Sequence, residues 1–159
     1  MSNININQFA QVAVRGQLDQ QIARSGVIQG MVSAANTTTP IAPGDSVILD
    51  SAVTAVGSPQ FRTAADSDSN FGIMIYDPKS SSILTPGFIQ VASNFTGPVM
   101  WLVAAAAILP GVFVEQAAAG GDVVTYGTAT SKLRGIALDP GATGQLMRVI
   151  LVGGAGSLL

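Results

Sequence analysis

Turn residues recur at short intervals from residue 43 onward, and they leave room for short strands but not for helices of normal length. The segments between the turns are rich in valine, isoleucine and aromatic residues, which favour strands. Eight strands are predicted, at residues 46–50, 71–76, 87–92, 99–104, 112–115, 122–126, 134–138 and 146–152. Short strands at regular spacing without intervening helices are typical of a β-sandwich or β-barrel. The sequence therefore predicts an all-β fold of short antiparallel strands.

The length of the chain, 159 residues, fits one domain with one core, and a second independent core is not expected. We predict an N-terminal arm and linker at residues 1–40 and a single β-sandwich or β-barrel domain at residues 41–159. The first part of the arm is rich in Asn and Gln, and its apolar residues keep neither helical nor strand spacing for long. Two interpretations remain open for it: an extended arm that orders on a neighbouring molecule, or an edge strand with a loop of the same domain.

The charge content points away from several classes of partner. The chain is 48% hydrophobic and 10% charged, against about 25% charged for an ordinary soluble domain. So few charges suit a surface that copies of the chain or other partners cover. The net charge is -2 with no basic stripe, so nucleic-acid binding is not expected.

The longest apolar run, residues 99–109, is shorter than the roughly 20 residues a membrane-spanning helix needs, so no membrane partner is expected. We expect no secretory signal at the first residues. We expect synthesis in a reducing cytoplasm, which suits a chain without cysteine.

Enzymatic chemistry is not expected. The sequence contains no histidine and no cysteine, which excludes Ser–His–Asp and Cys–His arrangements and zinc–thiolate sites. Most aspartates stand beside Gly, Pro or Ser, where the carboxylate usually bonds its own turn: Asp45, Asp77, Asp122 and Asp139. We therefore predict no catalytic residues and no cofactor.

One segment, residues 66–70 followed by Asp77, imitates a calcium-binding loop. Phe71 stands where such a loop needs glycine for its sharp bend, and the last ligand is Asp rather than the longer Glu. A solvated loop before the strand at residues 71–76 is the preferred interpretation, and no metal is predicted.

Two further features allow alternative interpretations. Trp101 lies in an apolar strand, so core packing is preferred over a role at an interface. The order Pro-Gly, Gly-Ile, Asp-Pro occurs twice, beginning at Pro43 and at Pro110. This echo indicates either two related β-motifs or the recurrence of turn pairs that any all-β chain shows, and the recurrence is preferred.

Several segments in their order along the chain resemble the capsid cement (decoration) proteins of tailed bacteriophages. The resemblance runs from about Val12 to Val152 and is carried by residues 13–18, 72–79, 85–87, 106–108, 110–111 and 121–124. It is most characteristic in the closing element Gly135-Ile136-Ala137-Leu138, which is followed by Gly144-Gln145-Leu146-Met147-Arg148-Val149. Residues 44–70 match the family least.

The resemblance implies a β-sandwich or barrel that lies on the outer surface of an icosahedral phage head. Such a protein associates with itself as a homotrimer and clamps neighbouring major capsid proteins through an extended arm. The residues expected to make the capsid or inter-subunit contacts are Ile4, Ile6, Phe9, Val12, Val14 and Arg15. The expected location is the virion, after synthesis in the cytoplasm of the bacterial host.

Two other functions are alternatives to this one. The first is a non-enzymatic carbohydrate-binding or adhesin module of a virion surface, which usually displays exposed aromatics, whereas this chain is only 6% aromatic. The second is a trimeric β-fold nucleotide hydrolase, for which the chain shows no convincing set of acidic and phosphate-binding residues. The cement function is preferred over both.

Overall fold

The computed structural model describes residues 13–18, 26–52, 58–64, 71–76, 82–83, 86–93, 97–117, 122–127 and 133–152. The strands are β1 (Val27–Val32), β2 (Ser46–Leu49), β3 (Gln60–Thr63), β4 (Gly72–Met74), β5 (Phe88–Ser93), β6 (Val99–Val103), β7 (Phe113–Gln116), β8 (Val123–Thr125), β9 (Leu133–Ala137) and β10 (Leu146–Leu151). Within these ranges a 3-10 turn at Ala34–Asn36 is the one helical element. The all-β fold class is confirmed, and each of the eight predicted strands overlaps an observed one; β1 and β3 were not predicted.

Strands β1 to β5 form a closed barrel, in the order β1-β3-β2-β4-β5 with β1 paired to β5. All its pairs are antiparallel except β1 with β3, which run parallel, a departure from the expected antiparallel sheet. Every second side chain of each strand points inward. These inward residues form one buried cluster: Val32, Ile41, Val47, Phe61, Met74, Ile89 and Val91.

Strands β6 to β10 form a second sheet, in the order β6-β10-β9-β7-β8, with antiparallel pairs throughout. A single parallel bridge between Ala104 and Val123 brings the end of β6 to β8, so the two edges of the sheet meet at that point. A second buried cluster lies on the inner side of this sheet. The expected single core is therefore divided into two buried clusters, and the second also includes Ile73, Ile75 and Ala92 of the first half.

The second sheet repeats the connectivity of the barrel strand for strand, with β6 to β10 in the places of β1 to β5. The parallel contact of β1 with β3 corresponds to the Ala104–Val123 bridge. Individual hydrogen bonds correspond as well. The Gly44 amide donates to the Met74 carbonyl over 2.8 Å, and the Gly111 amide donates to the Ala137 carbonyl over 2.7 Å.

The buried residues of the two halves also correspond. In strand order and register, each of the seven barrel core residues has a buried counterpart: Ala104, Ile108, Val114, Val123, Ala137, Met147 and Val149. Gly72 and Gly135 correspond too, because a Cβ on either would collide with a carbonyl of the neighbouring strand and lie within 2.7 Å of a valine side chain. The sequence echo therefore reflects two related β-motifs, and the preferred interpretation of recurring turn pairs was wrong.

The barrel packs on the second sheet through the outer side of β4 and β5. Ile73, Ile75 and Ala92 point away from the barrel interior, yet they are buried in the same cluster as Met100 and Leu151 of the second sheet. The junction between the halves is therefore a continuous apolar contact.

The described residues of the predicted arm, residues 1–40, lie in different parts of the structure. Residues 27–32 form β1 and pair with both β3 and β5 inside the barrel. Residues 13–18 lie at the junction of the two halves, where they hydrogen-bond to Trp101 and Tyr76. Residues 1–12 and 19–25 lie outside the described residues, so an extended arm there stays a prediction.

Candidate interaction surfaces

Residues 13–18, called the seam segment, hydrogen-bond to both halves of the molecule. The Gly16 amide donates to the Trp101 carbonyl (2.8 Å), and the Trp101 amide donates to the Gln17 carbonyl (2.9 Å). On the barrel side, the Tyr76 amide donates to the Gly16 carbonyl (2.9 Å). Leu18 packs against the core and forms a bridge with Met100 of β6. The seam segment therefore ties the strand that opens the second sheet to the end of β4.

A tight turn at Gly16 makes this position possible. The Gln17 amide donates to the Val14 carbonyl, and the Gln17 side-chain Oε1 accepts from the Val14 amide (3.0 Å). Gly16 has a φ of 77°, in the left-handed region that favours glycine. A Cβ there would lie 2.8 Å from the Pro43 carbonyl carbon and 2.9 Å from the Met74 carbonyl oxygen. Only a residue without a side chain lets the seam segment approach the barrel so closely.

Arg15 adds a polar contact to the same junction. Its Nη1 donates to the Pro43 carbonyl (2.9 Å) and its Nη2 to Asp45 Oδ1 (3.0 Å), both on the barrel. Its Nε lies 3.5 Å from Oδ1 of Asp122, next to β8, as an ion pair without hydrogen-bond geometry. Asp45 also accepts from the Ala42 amide through Oδ2 (2.8 Å), so its carboxylate closes a turn, as its neighbours in the sequence predict, while it holds Arg15.

Of the residues predicted to contact the capsid or a neighbouring subunit, Val14 and Arg15 lie in the seam segment, and both are partly buried. The contacts seen for Arg15 are within the chain. Ile4, Ile6, Phe9 and Val12 lie outside the described residues. Their role in contacts between molecules stays a prediction.

The second sheet presents apolar side chains on its outward side. Phe113 lies opposite Ile136, which lies opposite Ile150, which lies opposite Val99. Residues directly paired in adjacent antiparallel strands project to the same side, so this is one row across β7, β9, β10 and β6. Val99 is buried, Ile136 and Ile150 are half-buried, and Phe113 is 50% exposed.

A second row on the same side holds Trp101 and Arg148. These two residues are paired across β6 and β10, and the guanidinium carbon lies 5.8 Å from the indole centroid, within cation–π range. Arg148 also makes a bidentate ion pair with Asp139, with Nη2 to Oδ1 at 2.7 Å and Nε to Oδ2 at 2.8 Å. The hydrogen bonds from Arg148 are the main cause that lowers the pKa of Asp139, and burial opposes them.

We call these outward side chains the outer face: Trp101, Phe113, Ile136, Arg148 and Ile150. The preferred interpretation of Trp101 as a core residue was wrong. The inward positions of β6 belong to Met100 and Leu102, which are fully buried, whereas Trp101 is half-buried on the outer face. Sequence reasoning missed the face because β6 is apolar on both sides, which hides the alternation that separates inward from outward residues.

Cation binding finds no support among the described residues, where no group of three acidic side chains is placed to hold a metal ion. The segment that imitates a calcium loop, residues 66–70 with Asp77, lies outside those residues. In the same part of the chain, no helix has the length and apolar character to cross a membrane.

Comparison with known proteins finds similarity to solved structures. No protein-family model matches the chain, and no curated protein does. Among solved structures, the chain is similar to the crystal structure of the head fiber gp8.5 N base in bacteriophage phi29, with a TM-score of 0.54 and 11% identity. The match covers 79% of this chain and 92% of that chain. At this identity the match establishes a shared fold.

Proposed function

We propose that this protein is a structural component of a bacteriophage virion that binds the outer surface of an icosahedral head and cements neighbouring major capsid proteins. The observation that carries the proposal is the fold shared with the base of a phage head fiber, over most of both chains. The sequence resemblance to capsid cement proteins, which rests on other grounds, supports the same kind of particle. The low charge content, 10%, suits a protein with much of its surface against partners.

Cementing requires binding energy rather than chemistry. A head filled with DNA pushes its shell outward, and a protein that binds only the intact lattice raises the free energy of opening it. Several weak contacts held together by an oligomer give high avidity without any single strong site. In this proposal the protein is a non-enzymatic homotrimer, its partners are the major capsid protein and itself, and it acts without a cofactor.

The seam segment gives the proposed arm a mechanical basis. Residues 13–18 are hydrogen-bonded to β6 and to the end of β4, and Arg15 is held by Pro43 and Asp45. Any pull on residues 1–12 by a capsid subunit is therefore transmitted to the junction of the two halves, not to a loose end. Ile4, Ile6, Phe9 and Val12 supply the apolar side chains that would be buried on the capsid.

Shell binding of two truncated chains tests the proposal. Purified protein is mixed with expanded shells that lack it, and we measure co-sedimentation and the melting temperature of the shells. We expect the full chain to co-sediment and to raise that temperature. A chain without residues 1–12 should stay folded, because the truncation spares the seam segment and β1, but it should bind shells weakly.

Removal of residues 1–18 is the contrasting truncation, because it deletes the seam segment and should destabilise the fold itself. A full chain that ignores shells would overturn the proposal. If the same chain bound glycans instead, the adhesin alternative would replace it. Normal shell binding without residues 1–12 would remove the arm from the mechanism but leave cementing in place.

A further inference from the structure

The two halves of the molecule differ at one strand edge. β6 pairs with β10 on one side, and the seam segment lies along its other edge. There the Gly16 amide donates to the Trp101 carbonyl, the Trp101 amide donates to the Gln17 carbonyl, and Leu18 forms an antiparallel bridge with Met100. The seam segment is therefore a short strand added to the edge of β6.

On β1, the residue that corresponds to Trp101 is Gln29, and its backbone groups point to the same edge. No described residue bonds them there. The parallel ladder with β3 stops just short of this position. The Met31 amide donates to the Pro59 carbonyl (2.9 Å), and the next bond of the ladder would need an N–H of Pro59 for the Gln29 carbonyl. Because proline has no N–H, the ladder ends and the edge of β1 is open from Gln29 toward its start.

The side chains at this edge show the same difference between the halves. Leu18 of the seam segment packs against the core of the second sheet, and its bridge partner Met100 is 0% exposed. Ile28 is the counterpart of Met100 and packs against the barrel core, yet it stays partly exposed, and the neighbouring Val27 is 42% exposed. The edge of β1 therefore lacks the apolar side chain that Leu18 supplies to the edge of β6.

A segment of this chain has the sequence that the open edge calls for. Residues 3–7 read Asn-Ile-Asn-Ile-Asn, an alternation of polar and apolar residues that is typical of a half-buried strand. A strand of this kind presents both isoleucines to one side and the asparagines to the other. It can therefore offer an apolar side chain to Ile28 and backbone groups to Gln29.

The same segment is within reach of that edge. A Cβ on Gly16 would lie 2.9 Å from the Met74 carbonyl oxygen; Met74 is paired with Val91, and Val91 is paired with Ile28. With about 5 Å between paired residues, Ile28 lies within about 18 Å of Gly16. The chain from residue 6 to residue 13 spans up to about 23 Å when extended. A tethered segment also has a higher effective concentration than one from a separate molecule, which favours the chain's own residues over those of a second copy.

We infer that, in the free protein, residues 3–7 add to the edge of β1 as a further strand, in the way that the seam segment adds to β6. One isoleucine of the segment packs beside Ile28 as Leu18 packs beside Met100, and the asparagines face solvent. The added strand covers an edge that other chains could otherwise pair with. The inference concerns the protein before it meets a partner, so it does not rest on the proposed function, in which the same residues leave the barrel for the capsid.

Hydrogen exchange of single backbone amides, measured by NMR on the free protein, tests whether the edge is covered. We expect the Gln29 amide to exchange at least about 10-fold more slowly in the full chain than in a chain without residues 1–12. The Trp101 amide is the matched control, because the truncation spares its partner Gln17, and it should exchange at the same rate in both chains. Equal rates for the Gln29 amide in the two chains would overturn the inference.

Cross-linking identifies the segment and the molecule that supplies it. The chain has no cysteine, so introduced thiols are the only ones present. We expect Ile28→Cys combined with Ile4→Cys or with Ile6→Cys to form a disulfide within one chain on mild oxidation. Ile28→Cys combined with Asn5→Cys is the control and should not, because Asn5 faces the other side of the added strand.

A disulfide between two chains would overturn the inference by assigning the edge to a second copy, and the absence of a disulfide from both isoleucine pairs would overturn it as well. If the cysteine variants do not fold, the exchange rates of the unsubstituted chain still decide. Both experiments are done without shells, so the inference can fail while shell binding by the full chain stands, and the reverse.

Discussion

Gly30 lies against the ring of Phe61, and a Cβ on Gly30 would lie 2.8 Å from Phe61 Cδ2. The corresponding residues of the second sheet are Leu102 and Val123, both fully buried. The two halves therefore fill the same space in different ways. In the barrel, Phe61 on β3 fills it and Gly30 on β1 leaves it free. In the second sheet, Val123 and Leu102 share the volume. Such compensation is what a close-packed interior requires.

This relationship predicts how two substitutions should interact. Phe61→Val should lower the free energy of unfolding by about 2–4 kcal/mol, because it leaves a cavity in the barrel. Gly30→Leu should also destabilise, because its side chain would enter the space of the ring. The double variant should recover the part of the loss that the ring causes, but not the part caused by the Pro59 carbonyl, which also crowds a Cβ on Gly30. Urea unfolding of the four proteins gives the coupling energy. Additive losses would mean that the two halves do not share one packing scheme.

Gly16 should tolerate alanine far less well than Gly111 does. Both have positive φ values, 77° and 80°, so alanine costs roughly 1–2 kcal/mol of backbone strain at either position. At Gly111 nothing lies within 4 Å of the new methyl group, whereas at Gly16 it meets the backbone of Pro43 and Met74. We expect the melting temperature to fall clearly further for Gly16→Ala. Equal losses for the two variants would show that the seam segment does not need this close approach.

The ion pair of Arg15 with Asp45 should contribute measurably to the junction of the two halves. A double-mutant cycle of Arg15→Gln and Asp45→Asn should give a coupling energy of about 1 kcal/mol, smaller at high salt because the charges are then screened. Asn at position 45 keeps an oxygen for the Ala42 amide, so the turn is kept while the ion pair and its hydrogen bond are removed. Asp122→Asn is the control, with an ion-pair distance of 3.5 Å and 47% exposure, and it should change stability little. A coupling energy near zero would leave Arg15 with a packing role alone.

The sequence predicted the strands that carry a strong local signal and missed those that do not. The second half of the chain was predicted well because Pro110-Gly111 and Asp139-Pro140 bound apolar runs that form strands wherever they pack. β1 was missed because Gly30 and Gln29 interrupt its apolar pattern, and the reason for Gly30 is the ring of Phe61, a contact between distant residues. β3 was missed because it is short and follows Pro59.

The sequence predicted the candidate surfaces less well, because they too depend on contacts between residues that are distant in the chain. Arg15 was predicted as a contact residue for its place in an arm, yet its partners within the chain come from two distant parts, the turn with Pro43 and Asp45 and the residue Asp122. The outer face depends on which side of β6 points inward. The sequence of a strand that is apolar on both sides does not indicate which side points inward, and here the pairing of β6 with β10 determines it.

The ion pair of Asp139 with Arg148 should give the protein an acid-dependent stability that can be removed by substitution. The pKa of Asp139 is lowered in the folded protein, chiefly by the hydrogen bonds from Arg148, so the folded state binds fewer protons than the unfolded state. The stabilisation is therefore complete above the unfolded pKa of about 3.9 and is lost as the pH falls through the lower folded value. We expect the difference in melting temperature between the wild type and Arg148→Gln to begin to shrink below about pH 4, where Asp139 takes up a proton in the unfolded state before it does so in the folded state. Asp122→Asn is the control, and its melting temperature should follow that of the wild type across the pH range. If the melting temperatures of Arg148→Gln and the wild type differed by a constant amount down to about pH 2, the charge of the pair would add nothing to stability.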